Sequence, residues 1–213
     1  MKARLAARLL GCGLAAAAGV CSARAQEAAP AGPSKWTGSL SAYWYLLPDD
    51  ENYVLPIVMA RRDRLHLEAR FNYEDRDTGS FFGGWTFAAG EEVEFEATPM
   101  LGAVTGQTDG IAPGCTFSLT WKQLSWYSEN EYVIVFADRE ENFYYNWSEL
   151  TWEPLDWLGA GLVTQRTRVY QTDRDLQRGL LMRFTRGSFS AAGYWLNPGS
   201  EDDFGIVSLG LEF

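Results

Sequence analysis

Little in this sequence supports catalysis or covalent cross-linking. Three cysteines occur in 213 residues, Cys12, Cys21 and Cys115, and the first two fall in an N-terminal segment read below as removable. The one cysteine left cannot build an intrachain disulfide framework, and its expected role is that of a small, half-buried strand residue. Histidine is scarcer still, with His66 alone. Any Ser-His-acid triad is confined to that imidazole, a serine from a neighbouring strand and a carboxylate such as Glu68 or Glu94. No serine sits in a recognisable nucleophile motif. One histidine, one cysteine and carboxylates without ligand spacing predict no metal site. No glycine pattern would cradle a phosphate, so no cofactor is expected.

Long apolar runs are missing too. After residue 25 none reaches 18 residues, so no transmembrane helix is available. No segment shows a capped 3.6-residue period, which leaves helix a minor component. Positive charge is short, with 18 Lys and Arg against 28 Asp and Glu. An acidic chain repels nucleic acid, so binding to a phosphate backbone through a basic face is excluded as a reading.

Export signals are present instead. Lys2, Arg4 and Arg8 open the chain, Leu9 to Val20 is apolar, and Ala23-Arg24-Ala25 follows with small residues where a signal peptidase reads. This is the three-part pattern of a cleaved signal over 1–25, with an apolar run too short to span a bilayer. A lipoprotein signal is the rival. However, Cys12 comes before any apolar core, and Val20 is bulky ahead of Cys21. Cleavage removes four basic residues and leaves 14 against 28 acidic ones. Residues 26–34 are small and Pro-rich and read as a flexible periplasmic leader.

From Trp36 the dominant period is two. In Leu65 to Glu74, Leu65, Leu67, Ala69, Phe71 and Tyr73 alternate with His66, Glu68, Arg70, Asn72 and Glu74. In Val93 to Leu101 the apolar face is Val93, Phe95, Ala97, Pro99 and Leu101, against Glu94, Glu96 and Thr98. Turn-favouring clusters divide the chain into twelve expected strands: 35–47, 52–61, 64–74, 79–89, 92–104, 111–127, 131–138, 143–153, 158–171, 176–186, 188–196 and 203–213. One predicted turn is Ser128-Glu129-Asn130-Glu131. Ten strands is the alternative. Pro56 and Pro99 each delete a ladder hydrogen bond and are expected at bulges.

Alternation fits a soluble sandwich or a membrane barrel, with opposite faces inward. The other face often carries charge in mid-strand: His66, Glu68 and Arg70; Glu94 and Glu96; Arg166 and Arg168; Arg183. The chain ends Val207-Ser208-Leu209-Gly210-Leu211-Glu212-Phe213, with apolar residues at every second position. Those last residues resemble the C-terminal strand of bacterial outer-membrane β-barrels. The resemblance implies that Val207, Leu209, Leu211 and Phe213 are the signal for the barrel-insertion machinery. It also implies an all-β, antiparallel up-and-down transmembrane barrel over 35–213, in the outer membrane of a Gram-negative-type envelope. Aromatics near alternate turns suit two interfacial girdles: Trp44, Phe82, Tyr145 and Trp195 on the external side, Trp36, Trp126, Tyr132 and Trp152 on the periplasmic side.

Within that frame His66, Glu68, Arg70, Glu74, Glu94, Glu96, Arg166, Arg168 and Arg183 are expected to line the lumen. Glu68, Glu74, Glu94 and Glu96 form an acidic wall, and Arg166, Arg168, Arg183 and Arg178 a basic one, as in general diffusion porins. The expected function is a small porin-like diffusion channel. A non-transporting structural or interaction barrel is the alternative, followed by a lipid-modifying enzyme using His66. The expected partners are outer-membrane lipids and lipopolysaccharide, the insertion machinery and small solutes.

Overall fold

Alternation of side chains across each strand decides what the wall shows to either side. The computed structural model describes residues 35–48, 50–169 and 175–213, with side chains for all of these except 167–169 and 175. The expected signal peptide, the leader, Asp49 and the 170–174 connection lie outside the described residues. The strands are β1 (Thr37–Leu46), β2 (Tyr53–Arg62), β3 (Leu65–Phe71), β4 (Gly79–Trp85), β5 (Phe87–Ala89), β6 (Val93–Thr105) and β7 (Gly110–Trp121). They continue as β8 (Leu124–Val135), β9 (Phe143–Leu155), β10 (Leu158–Val169), β11 (Asp175–Arg186), β12 (Phe189–Leu196) and β13 (Phe204–Glu212).

Each strand pairs antiparallel with its chain neighbour, β1 pairs with β13, and both β4 and β5 pair with β6. The sheet therefore closes on itself. Because β4 and β5 are two pieces of one strand, the ring has twelve staves.

Leu40, Trp44 and Leu46 on β1 point outward and are exposed, whereas Ser41, Tyr43 and Tyr45 between them are buried. The same holds around the ring: Val58, Phe81, Leu101, Leu150, Leu162, Leu180, Met182 and Leu209 are all outward and exposed. A wall of Leu, Val, Phe and Trp without cover is stable only against acyl chains. No described helix is long and apolar enough to cross a membrane, a test that does not bear on strands.

Four connections at the end carrying both termini are two-residue turns: Asp63-Arg64, Lys122-Gln123, Asp156-Trp157 and Gly187-Ser188. Asp63, Lys122 and Gly187 take positive φ of 54°, 55° and 59°, as tight hairpins of matching twist require. The opposite end carries longer connections such as 72–78 and 136–142, the latter with a short 3-10 turn at Arg139–Glu141 capped by Asp138.

One predicted turn is misplaced. Ser128, Glu129, Asn130 and Glu131 lie in the middle of β8, and the chain reverses at Lys122-Gln123 instead. Residues of turn-favouring type are held extended here because tertiary partners satisfy their polar groups. The prolines also differ from expectation. The β1–β2 ladder runs through Pro56 without a shift, and the β2–β3 ladder begins one residue later, at Ile57. Pro99 pairs with Cys115 of β7 while its other neighbour is interrupted between Trp85 and Phe87. The register is the same on both sides of that interruption, so it is a gap and not a bulge. Thr86 bridges it through a 2.9 Å hydroxyl contact with Thr98.

Candidate functional site

Twelve strands enclose more space than eight, whose interior side chains alone can fill. Here the inside is nonetheless crossed by a partition of large residues. Trp147, Tyr43, Tyr73, Tyr145 and Phe82 are fully buried, with Leu55 and Ile57 beside them. Tyr73, just beyond the third stave, meets Tyr145 of the eighth edge-on, with centroids 5.6 Å apart. Trp147 of the eighth meets Tyr194 of the eleventh at 5.5 Å. These contacts join staves that lie far apart in the ring, across the interior.

Arg70 is the centre of the partition. It projects inward from β3 because alternation there places Leu65, Leu67 and Ala69 on the lipid side. Its Nε donates to Glu68 at 2.7 Å, Nη1 to Glu131 at 2.9 Å and Nη2 to Glu129 at 2.6 Å. Glu74 stands 3.7 Å from Nη1. The guanidinium plane lies between the rings of Tyr73 and Phe82, 4.0 and 4.2 Å from their centroids. Phe82 fits there because its pair on β6 is Gly102, where any Cβ would strike the ring. A rigid planar fork with five donors suits this combination of stacking and carboxylate contacts better than an ammonium would. Glu74 lies in the connection after β3. Desolvation holds its carboxyl above the usual carboxylate range, and Arg70 acts in the opposite direction.

A polar line leads from the partition toward the end with short turns. His66 Nε2 is 2.8 Å from Glu68, and His66 Nδ1 accepts from Arg61 Nε at 3.3 Å. Arg61 also pairs with Glu96 at 3.0 Å. With Nδ1 accepting, the ring proton sits on Nε2 and points at Glu68. Both ring nitrogens are thus engaged, one by Arg61 and the other by Glu68. Below the partition the inner face opens: Glu96 and Arg61 are partly exposed, and Glu94 is exposed.

A second charged group stands on the far wall. Glu149 accepts from Trp147 Nε1 at 2.9 Å and Tyr194 hydroxyl at 3.1 Å, and Arg183 binds it closely. Glu153, 3.7 Å from Arg183, continues this wall toward the open end.

Of the residues expected to line the lumen, His66, Glu68, Arg70 and Glu74 meet at the partition, Arg183 joins the second group, and Glu94 and Glu96 lie on the open inner face of β6. Arg166 differs. It lies on the outer face with Leu162, while Val163 and Gln165 are the buried inward residues, and its guanidinium stacks on Tyr144. The Arg168 side chain is outside the described residues. Arg178 is likewise outward, sharing a face with the exposed Leu180 and Met182. Glu129, Glu131 and Glu149 were missed. The alternate spacing in Glu129-Asn130-Glu131, matching Glu94-Phe95-Glu96, is the sequence signal that could have found the first two. Val207 and Leu209 face outward and Phe213 is exposed at the rim, where its backbone exchanges two hydrogen bonds with Gly38.

A closed ring of twelve antiparallel strands, apolar outside and charged within, is the fold of the outer-membrane porins. Among solved structures it is similar to the KdgM porin, with a TM-score of 0.61 and 10% identity, covering 82% of this chain and 98% of that one. A structure of "KdgM porin in complex with disordered oligogalacturonate" is similar with a TM-score of 0.60 and 8% identity, at the same coverage. At such identity the likeness is one of fold. Neither a protein-family model nor a curated protein sequence matches the chain.

Proposed function

We propose that this chain is an outer-membrane channel of porin type for small cations, held closed in this state by the partition around Arg70. The observation that carries this reading is the charge of the inner surface. Glu68, Glu74, Glu94, Glu96, Glu129, Glu131 and Glu149 face inward against Arg61, Arg70 and Arg183. The two opposed walls expected from sequence give way to an acid-rich lining, because Arg166 and Arg178 stand outside and the inward arginines sit among carboxylates. Rings of carboxylates draw cations into a pore and repel anions. An acidic oligosaccharide such as the oligogalacturonate bound by the KdgM porin would meet like charge here. The C-terminal alternation ending on Phe213 supports assembly by the barrel-insertion machinery, and the uncovered apolar wall supports residence among outer-membrane lipids.

A second reading, a barrel that transports nothing, is favoured by the partition itself. Conductance separates the two. Protein refolded into planar bilayers, verified as folded by its altered gel mobility before heating, should show intermittent channel events. In a salt gradient their reversal potential should mark cation preference. Trp147→Ala, which removes the largest side chain of the partition, should lengthen or enlarge the openings. Silence from both wild type and Trp147→Ala would remove the channel and leave the non-transporting barrel; anion preference would remove the cation assignment.

A further inference from the structure

The outer wall is apolar almost everywhere except on β8 to β10 and at Arg178 of the adjoining β11. There Ser128 and Asn130 of β8 stand beside Ser148, Asn146 and Tyr144 of β9, all on the outward face. They bond to one another. Ser128 Oγ accepts from Asn130 at 3.2 Å and Asn146 at 3.1 Å and lies 2.9 Å from Ser148 Oγ. Tyr144 donates to Asn130 Oδ1 at 2.7 Å, and Asn146 Nδ2 approaches the same oxygen at 3.1 Å. Arg166 of β10 closes the group through its stack on Tyr144.

The group does not belong to the headgroup level. On β8 it has Leu124 and Trp126 on one side and Tyr132, Ile134 and Phe136 on the other. With about 3.3 Å of rise per residue and a tilt near 40°, Ser128 and Asn130 stand roughly 10 and 15 Å above Leu124, inside an apolar band about 25 Å tall. Ser128 is buried among its neighbours, but Asn130, Tyr144, Asn146 and Ser148 are only half-buried. Amide and hydroxyl groups left partly open to hydrocarbon at that depth keep bonding capacity that only a polar partner satisfies.

We propose that β8, β9 and β10 form the contact face of a homodimer, in which a second copy of this chain covers the patch within the membrane. What selects that occupant is donor–acceptor balance. The centre of the patch offers amides and hydroxyls, each both donor and acceptor, so it is complementary to itself about a twofold axis. A phosphorylated lipid needs donors and cations, and the outward cations near it among the described residues, Arg166 and Arg178, stand at the edge of the patch, Arg166 stacked on Tyr144. The opposite wall, with Leu40, Trp44, Val207 and Leu209 exposed, has no such groups and faces lipid.

The test uses the full chain from outer membranes in mild detergent. Its detergent-corrected mass should be that of a dimer. Asn130→Leu with Asn146→Leu should weaken association at least tenfold while the heat-dependent gel shift shows an intact barrel. Independently, Ser148→Cys in a Cys115→Ser background should give dimers with a short bis-maleimide in the membrane, and Leu209→Cys in that background should not. Three results overturn the proposal: a monomer with no cross-link at Ser148→Cys, a dimer indifferent to the double leucine variant, or a monomer carrying a phosphorylated glycolipid that Arg166→Ala releases. If the double variant does not fold, the cross-linking pair decides alone.

Discussion

Arg70→Met is the most informative single change. The variant keeps an unbranched side chain between Tyr73 and Phe82 but removes the donors that reach Glu68, Glu129 and Glu131 at 2.7, 2.6 and 2.9 Å. Those carboxylates are buried, so water does not replace the lost partner. Removing one member of a buried ionic group costs about 3–5 kcal/mol, because the charges left behind are uncompensated. That corresponds to roughly two to four decades in the folding equilibrium. Adding Glu129→Gln and Glu131→Gln removes two of the orphaned charges while keeping hydrogen-bonding groups of similar shape, so the triple variant should recover most of the loss. Arg61→Met is the control. Its partner Glu96 is partly open to water, and such a pair contributes only about 0–1 kcal/mol. Urea-dependent folding into lipid vesicles, followed by tryptophan fluorescence and by gel mobility without heating, reads all four proteins. A shift below about 1 kcal/mol for Arg70→Met, or a triple variant no better than the single one, would refute the view of Arg70 as the charge that holds the partition together.

Two further outcomes follow from the wall. Leu209→Arg places a guanidinium on a 63% exposed lipid-facing site and should cost about 2–4 kcal/mol near the bilayer midplane, read by the same folding titration. Phe213→Ala should lower the amount of heat-shifted barrel in outer membranes without lowering the amount synthesised, if the terminal aromatic guides assembly.

The period-two pattern makes the twelve-stave ring and its apolar exterior legible in the sequence, because one face of nearly every strand has to be lipid-compatible. Failures came where that constraint was silent. In β10 the run Thr164-Gln165-Arg166-Thr167-Arg168 is polar on both faces, and the preceding Leu162 and Val163 are both apolar, so nothing local fixes which side turns in. Charge alone points Arg166 to the lumen. In β8 the reversal at Lys122-Gln123 gives a lysine positive φ, without Gly, Asn or Asp to announce it. Ser128 to Glu131 imitates a turn, and its residues are held in a strand by Arg70 on one face and by Asn146 and Ser148 on the other. Partners about 20 to 60 positions away in sequence leave no trace in a local window.

The gap between β4 and β5 leaves the girth of the cylinder unchanged. A closed cylinder keeps its diameter as long as strand number and stagger are fixed, and the pairing with β6 resumes past Thr86 at an unchanged offset. The wall therefore omits rungs opposite Pro99 without being wound one notch tighter or looser. An inserted residue at this point would have rotated every following side chain from lipid to lumen; an omitted rung leaves them all in place.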